Sequence, residues 1–163
     1  MNQFHKISTK DFEAISHEDR YLYDQYDFID SFIKRNFDSS FFNVLAKPIY
    51  NNKEVNWYTN YESNFKRINE FNGSEKDEIL KKYWLKLSQV NSKIKELENS
   101  TINDKKNWAL ILENVFNDEN NIVFSDGENI ILLWGWRFRN NKENYIPVEK
   151  RTLVDKVEPE ISP

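Results

Sequence analysis

The stretch from Ile122 to Phe138 constrains the fold more than any other part of the chain. Ile122-Val123-Phe124-Ser125 and the run from Glu128 to Phe138 flank the dipeptide Asp126-Gly127. Asp-Gly between two β-rich runs is the preferred composition of a two-residue type I′ turn, so the spacing predicts an antiparallel hairpin. Side chains alternate along a strand. Ile130, Leu132, Trp134, Trp136 and Phe138 therefore share one face, and Ile131, Leu133, Gly135, Arg137 and Arg139 the other. The first half is apolar on both faces and the second on only one. This pattern predicts a strand that crosses the middle of a sheet and emerges with Arg137 and Arg139 in solvent.

A strand that is apolar on both faces needs cover, and three helical patterns can supply it. Ser16-His17-Glu18-Asp19 has the Ser-x-x-Asp form of an N-cap box, and Leu22, Tyr26, Ile29, Ile33 and Phe37 follow at intervals of three and four. Tyr21, Tyr23, Phe28 and Phe32 widen that stripe. Gly73-Ser74-Glu75-Lys76-Asp77 combines a breaker with a second cap box. Leu80, Tyr83, Leu87, Val90, Ile94 and Leu97 then form an a/d seam. The seam is too short for a free-standing coiled coil and predicts a helical hairpin. The second arm starts at Asp104 and carries Trp108, Ile111, Leu112 and Val115 on one face.

Between the first helix and this hairpin the period changes to two. Phe42, Val44 and Ala46 alternate with Asn43, Leu45 and Lys47, and Val55, Trp57 and Thr59 with Asn56 and Tyr58. Asn51-Asn52 is the expected hairpin tip, because Asn tolerates the left-handed region. Pro48 cannot donate to a ladder, which places its strand at a sheet edge or ends it. Beyond Asn140 the periods stop, and Pro147, Pro159 and Pro163 stand among charged residues. The expected organisation is one domain over residues 1–140 and an extended linker over 141–163. The expected fold class is α+β: an antiparallel sheet of about four strands, made by two hairpins, packed against an N-terminal helix and a helical hairpin.

Composition excludes several functions. The 163 residues include no Cys, which rules out disulfides, a thiol nucleophile and Cys-based zinc sites. Twenty-three basic against 27 acidic residues give a formal charge of −4, so there is no general attraction to nucleic acid or anionic lipid. His5 and His17 form no metal-binding spacing, and His17 reads as an exposed residue of a first helical turn. Glu18-Asp19 and Glu75-Asp77-Glu78 fall where the helix macrodipole favours acids. Nucleophile elbows and phosphate-cradling glycine loops are absent, so no catalytic, cofactor-binding or metal-binding residue is assigned. Neither a signal sequence nor a stretch of roughly 20 apolar residues occurs, so the chain reads as a cytosolic segment.

The remaining oddity is an aromatic content of 15%: five Trp, eight Tyr and twelve Phe. Trp134 and Trp136 face away from Arg137 and Arg139, which favours core packing over base stacking. Trp57 and Tyr58 must point to opposite faces, one toward the core and one outward. The candidate contact residues for a partner protein are thus Tyr21, Tyr23, Tyr26, Tyr58 and Tyr61, with Arg137 and Arg139.

Phe42-Asn43-Val44-Leu45-Ala46-Lys47-Pro48-Ile49, Val55-Asn56-Trp57-Tyr58, and Ile122 to Gly127 leading to Leu132-Leu133-Trp134-Gly135 together resemble a bacterial pattern over residues 41–138. It is similar to the N-terminal soluble region of SrfA-like, virulence-cluster-associated envelope proteins. This chain has Trp134-Gly135-Trp136 where the pattern has Trp-Gly-Phe or Trp-Gly-His. The resemblance implies a cytosolic front part tethered to the inner membrane by a further C-terminal part. The expected function is a non-catalytic interaction module of a bacterial multiprotein complex, with another protein as partner. A small-ligand-binding or enzymatic domain using the aromatic sheet is the second reading, and single-stranded nucleic-acid binding the third.

Overall fold

The computed structural model describes residues 1–138, so Arg139 and the linker expected over 141–163 lie outside the described residues. In chain order the elements are β1 (Asn2–Ser8), β2 (Ser16–His17), β3 (Arg20–Tyr21), α1 (Tyr26–Asn36), β4 (Lys47–Asn51), β5 (Glu54–Thr59), β6 (Lys66–Arg67), α2 (Gly73–Glu98), α3 (Asn103–Val115), β7 (Ile122–Ser125) and β8 (Ile130–Leu133). The fold is α+β with antiparallel sheets.

The two predicted hairpins do not share one sheet. β4–β5 belongs to a three-stranded sheet of order β1-β5-β4, and β7–β8 to another of order β6-β7-β8. β1 carries no strong alternation, and its place comes from pairing along β5, from Asn2 opposite Thr59 to Ser8 opposite Glu54. The sheets approach each other on two sides. Leu45, just before β4, bridges Leu132 of β8 in parallel, with hydrogen bonds from Leu132 N to Val44 O (2.7 Å) and from Ala46 N to Leu132 O (3.1 Å). On the other side Phe4 and His5 of β1 pack on Phe124 of β7, with ring centroids 5.4 and 4.8 Å apart.

The alternation predicted for β5 holds. Val55, Trp57 and Thr59 are buried while Asn56 and Tyr58 are half-buried. Pro48 sits in an edge strand, where its missing N–H interrupts no central ladder. The tip of the hairpin is one residue later than expected. Asn52 and Lys53 take φ of 53° and 66°, the pair of positive values that a type I′ turn demands, and β4 begins at Lys47 rather than near Phe41.

The Ser16 cap box is not a helix start. Glu18 and Asp19 adopt φ of 51° and 64° and form the turn of the small β2–β3 hairpin. The preceding segment is held elsewhere: Ile15 N donates to Gly135 O, Ala14 bridges Trp136, and Arg137 N donates to Glu13 O. A chain anchored there cannot enter a helix, so α1 starts at Tyr26 after a short 3₁₀ turn. His17 is accordingly half-buried, with Nε2 2.6 Å from Asn107 Oδ1 of α3.

The helical hairpin follows the periodicity. Leu80, Tyr83, Val90, Ile94 and Leu97 of α2 are buried and Leu87 is half-buried; Ile111, Leu112 and Val115 of α3 are buried. Fully burying an aliphatic or Phe side chain is worth roughly 1.5–3 kcal/mol, so these two seams hold α2 and α3 against each other.

β7 and β8 are buried at every position, as a strand covered on both faces must be. Their connection has four residues rather than two. The Asp126 carboxylate accepts from Glu128 N (2.9 Å) and Asn129 N (2.6 Å), while Ser125 Oγ accepts from Gly127 N (3.0 Å) and donates to Asn129 O (2.7 Å). These side chains stabilise a wider loop than the dipeptide alone would select. β8 also ends early. Gly135 takes φ of 89°, which breaks the alternation expected through Phe138.

Candidate functional site

Trp134 and Trp136 are 0% and 1% exposed, so both belong to the core. Trp134 Nε1 donates to Ala46 O at 2.8 Å, which satisfies its buried donor and ties β8 to the start of β4. Trp136 meets Trp57 edge-on at 5.9 Å. Its outer face carries an aromatic stack that reaches the surface.

Tyr23 lies parallel on Trp136, with centroids 4.6 Å apart and planes 14° apart. Tyr21 lies parallel on Tyr23 at 5.3 Å and 15°. Offset parallel rings of this kind contribute about 0.5–1.5 kcal/mol beyond the area they bury. The β2–β3 hairpin delivers Tyr21, and the 3₁₀ turn after it delivers Tyr23. Tyr50, on β4, joins at 5.2 Å from Tyr23. Tyr21 remains 48% exposed and Tyr50 43%, so the outer end of the stack forms an aromatic shelf in solvent.

Two clefts flank the shelf, and Tyr23 and Tyr50 form part of the wall of both. The first, of about 330 Å³, runs over Trp136 and Phe12 and has Lys10 and Lys53 beside it. The second, of about 340 Å³, lies over Pro48 and Ile49 and has Asp24, Asp27 and Lys47 beside it. Tyr26 borders the second cleft, touches Trp134 at 6.3 Å and lies under the Lys47 ammonium at 5.9 Å. Burial raises the Tyr23 phenol above its usual range, and the negative charge of Asp24 adds to this; burial, then Asp30 and Asp27, raises Tyr26 likewise. A phenol is neutral at physiological pH even at its ordinary value, so both hydroxyls can donate.

The other expected contact residues lie elsewhere. Tyr58 occupies the face of β5 opposite Trp57 and is half-buried. Tyr61 packs on Phe65 at 5.5 Å. Arg137 is held near Glu13, at 3.8 Å, and does not join the aromatics. Sequence reasoning missed Tyr50. Its only local sign was a place beside the Asn51-Asn52 turn, and its neighbours come from segments 27 and 86 residues away in sequence, at Tyr23 and Trp136.

A roomier cleft of about 560 Å³ lies between α2 and the β7–β8 loop, where Tyr61, Leu85 and Ile130 line it together with serines, lysines, Gln89, Glu128 and Asn129. Lys86, at its edge, is already engaged, with Nζ donating to Ser40 O at 2.7 Å and lying over the Phe41 ring. Among the described residues no cluster of three His, Asp or Glu could hold a metal, and no helix is long and apolar enough to cross a membrane. The shelf offers aromatic area, phenolic hydroxyls, ammonium groups on one side and carboxylates on the other. No family model, no curated protein and no solved structure matches the chain.

Proposed function

We propose that this chain is a non-catalytic protein-interaction module and that Tyr21, Tyr23 and Tyr50 make the contact. One observation carries the reading: large rings stay exposed at the surface although the chain has a core that could bury them, and they are held rigid by stacking on buried Trp136. Rigid aromatic side chains lose little conformational freedom on binding and are enriched at hot spots. The setting, a bacterial multiprotein complex and the cytosolic front of a membrane-associated protein, rests on the resemblance of residues 41–138. A small-ligand or enzymatic domain is the second reading; it would require polar groups converging inside one deep pocket, whereas here Lys10 and Lys53 line one open cleft and Asp24 and Asp27 another. Base stacking on Trp134 and Trp136 is blocked by their burial.

The test is affinity purification of the intact protein from its native cells, run in parallel with a Tyr21→Ala/Tyr50→Ala variant. A partner retained by the wild type and lost from the folded variant supports the reading. No stable partner, or equal recovery by both proteins, would sink it.

A further inference from the structure

The two clefts on either side of Tyr23 and Tyr50 say more about the partner than the exposed aromatics alone. We propose, resting on the interaction-module reading above, that the shelf binds an extended, proline-containing peptide in the polyproline II conformation, with an acidic residue at one end and a basic residue at the other.

Three observations point to this occupant. The first is shape. Tyr23 and Tyr50, 5.2 Å apart, form a ridge with a cleft of about 330 Å³ on one side and about 340 Å³ on the other. Proline-rich ligands dock into grooves lined by aromatic rings in this way, and the preformed polyproline II helix loses little entropy on binding. The second is the backbone of the shelf. β4 is an edge strand, but Pro48 has no N–H to offer an added strand. Its place in the wall of the second cleft disfavours recognition by strand addition and leaves side-chain contact as the main mode. Polyproline II needs no ladder partner.

The third observation is charge. Lys10 and Lys53 stand at the first cleft. Asp24 and Asp27 stand at the second, where the Lys47 ammonium is turned over the Tyr26 ring. A peptide crossing the ridge therefore meets positive charge at one end and negative charge at the other, which fixes its direction and selects a dipolar sequence. A peptide of one sign throughout is complementary to only one cleft.

Two synthetic peptides test this, Glu-Pro-Ala-Leu-Pro-Pro-Ala-Arg and its reverse, each paired with a control in which every proline is replaced by alanine. Binding to the full chain is followed by Trp fluorescence and by isothermal titration. One of the two directions should bind at least about tenfold tighter than its alanine control, and Tyr50→Ala should weaken it by a similar factor. The double change Lys10→Glu/Lys53→Glu should remove the preference for an acidic end while the far-ultraviolet circular dichroism stays that of the wild type. Equal binding with and without proline, or no binding in either direction, overturns the inference. If that happens while purification still recovers a partner that depends on Tyr21 and Tyr50, the peptide class is wrong and the interaction module stands. If the partner is also insensitive to those residues, both fall.

Discussion

Tyr23 lies flat on Trp136, 4.6 Å away, and this pair joins the surface of the protein to its core. The two residues are 113 positions apart and reach each other only because Ala14-Ile15 is anchored along Gly135-Trp136. The stack thus serves stability from its inner end and contact from its outer end, and mutations should separate the two.

Trp136→Ala removes a fully buried ring and leaves a cavity, which should cost about 3–5 kcal/mol. Tyr21→Ala, at the exposed end, should cost no more than about 1 kcal/mol. Urea unfolding of the two variants measures both. Similar losses would mean that Tyr21 is structural and not a contact residue.

Trp134→Phe keeps most of the ring but removes the hydrogen bond to Ala46 O. It leaves a buried carbonyl without that donor, so the expected cost is about 1–3 kcal/mol. Hydrogen exchange should quicken first at Ala46 and Leu132, whose backbone bonds join the two sheets at this point. Unchanged exchange at those amides would show that the indole bond does not help to hold the sheets together.

Gly135→Ala tests the break at the end of β8. An added Cβ would meet Tyr23 Cβ at 3.6 Å, an ordinary contact, so space is available. The cost comes from φ of 89°, which L side chains rarely adopt, and should be about 1–3 kcal/mol. A neutral result in thermal melts would contradict this conformation.

His5 predicts acid sensitivity. Burial beside Phe124, with Arg67 adding repulsion against the opposing pull of Glu70, lowers its pKa from 6.5 to about 4. The unfolded chain therefore takes up the proton first as pH falls. His5 leaves stability intact above pH 6.5, and stability declines between there and about 4 by something on the order of 1–2 kcal/mol, after allowing for the ring's partial exposure. The His5→Phe variant should show a flatter stability profile over that interval. If wild type and variant decline in parallel, another group is responsible.

Asp126 acts at lower pH. Its burial alone would raise its pKa, but hydrogen bonds from Ser63, Asn129 and the backbone of Glu128 outweigh this and hold it at about 2. Its contribution is present above the usual value of 3.8 and is lost as pH falls through 2, a window separate from that of His5. Asp126→Ala should lower stability at neutral pH by about 1 kcal/mol and release the hydroxyl of Ser63. Amide shifts confined to residues near Ser63 and the 126–129 loop would be the signature.

Local chemistry made much of the fold legible. The α2–α3 hairpin was readable from its seam, and β5 from Val55, Trp57 and Thr59, because burial on one side imposes a fixed period on adjacent residues. Burial of Trp134 and Trp136 followed from phase. Turn details were less secure. Ser16-x-x-Asp19 and Asp126-Gly127 both fit a local rule, yet distant or neighbouring hydrogen bonds selected another conformation for each.

The sequence by itself determined the α2–α3 hairpin, where the two main β-hairpins fall and that Trp134 and Trp136 are interior, since these depend on periods and turns within about twenty residues. Tertiary structure alone decided that β1 pairs with β5, that the hairpins occupy separate sheets, and that Tyr21, Tyr23 and Tyr50 meet while Tyr58 and Tyr61 stay apart. Those outcomes rest on contacts such as Ile15 N to Gly135 O and Leu132 N to Val44 O. The bonded groups are backbone atoms common to every residue, so no pattern of side chains along the chain announces them.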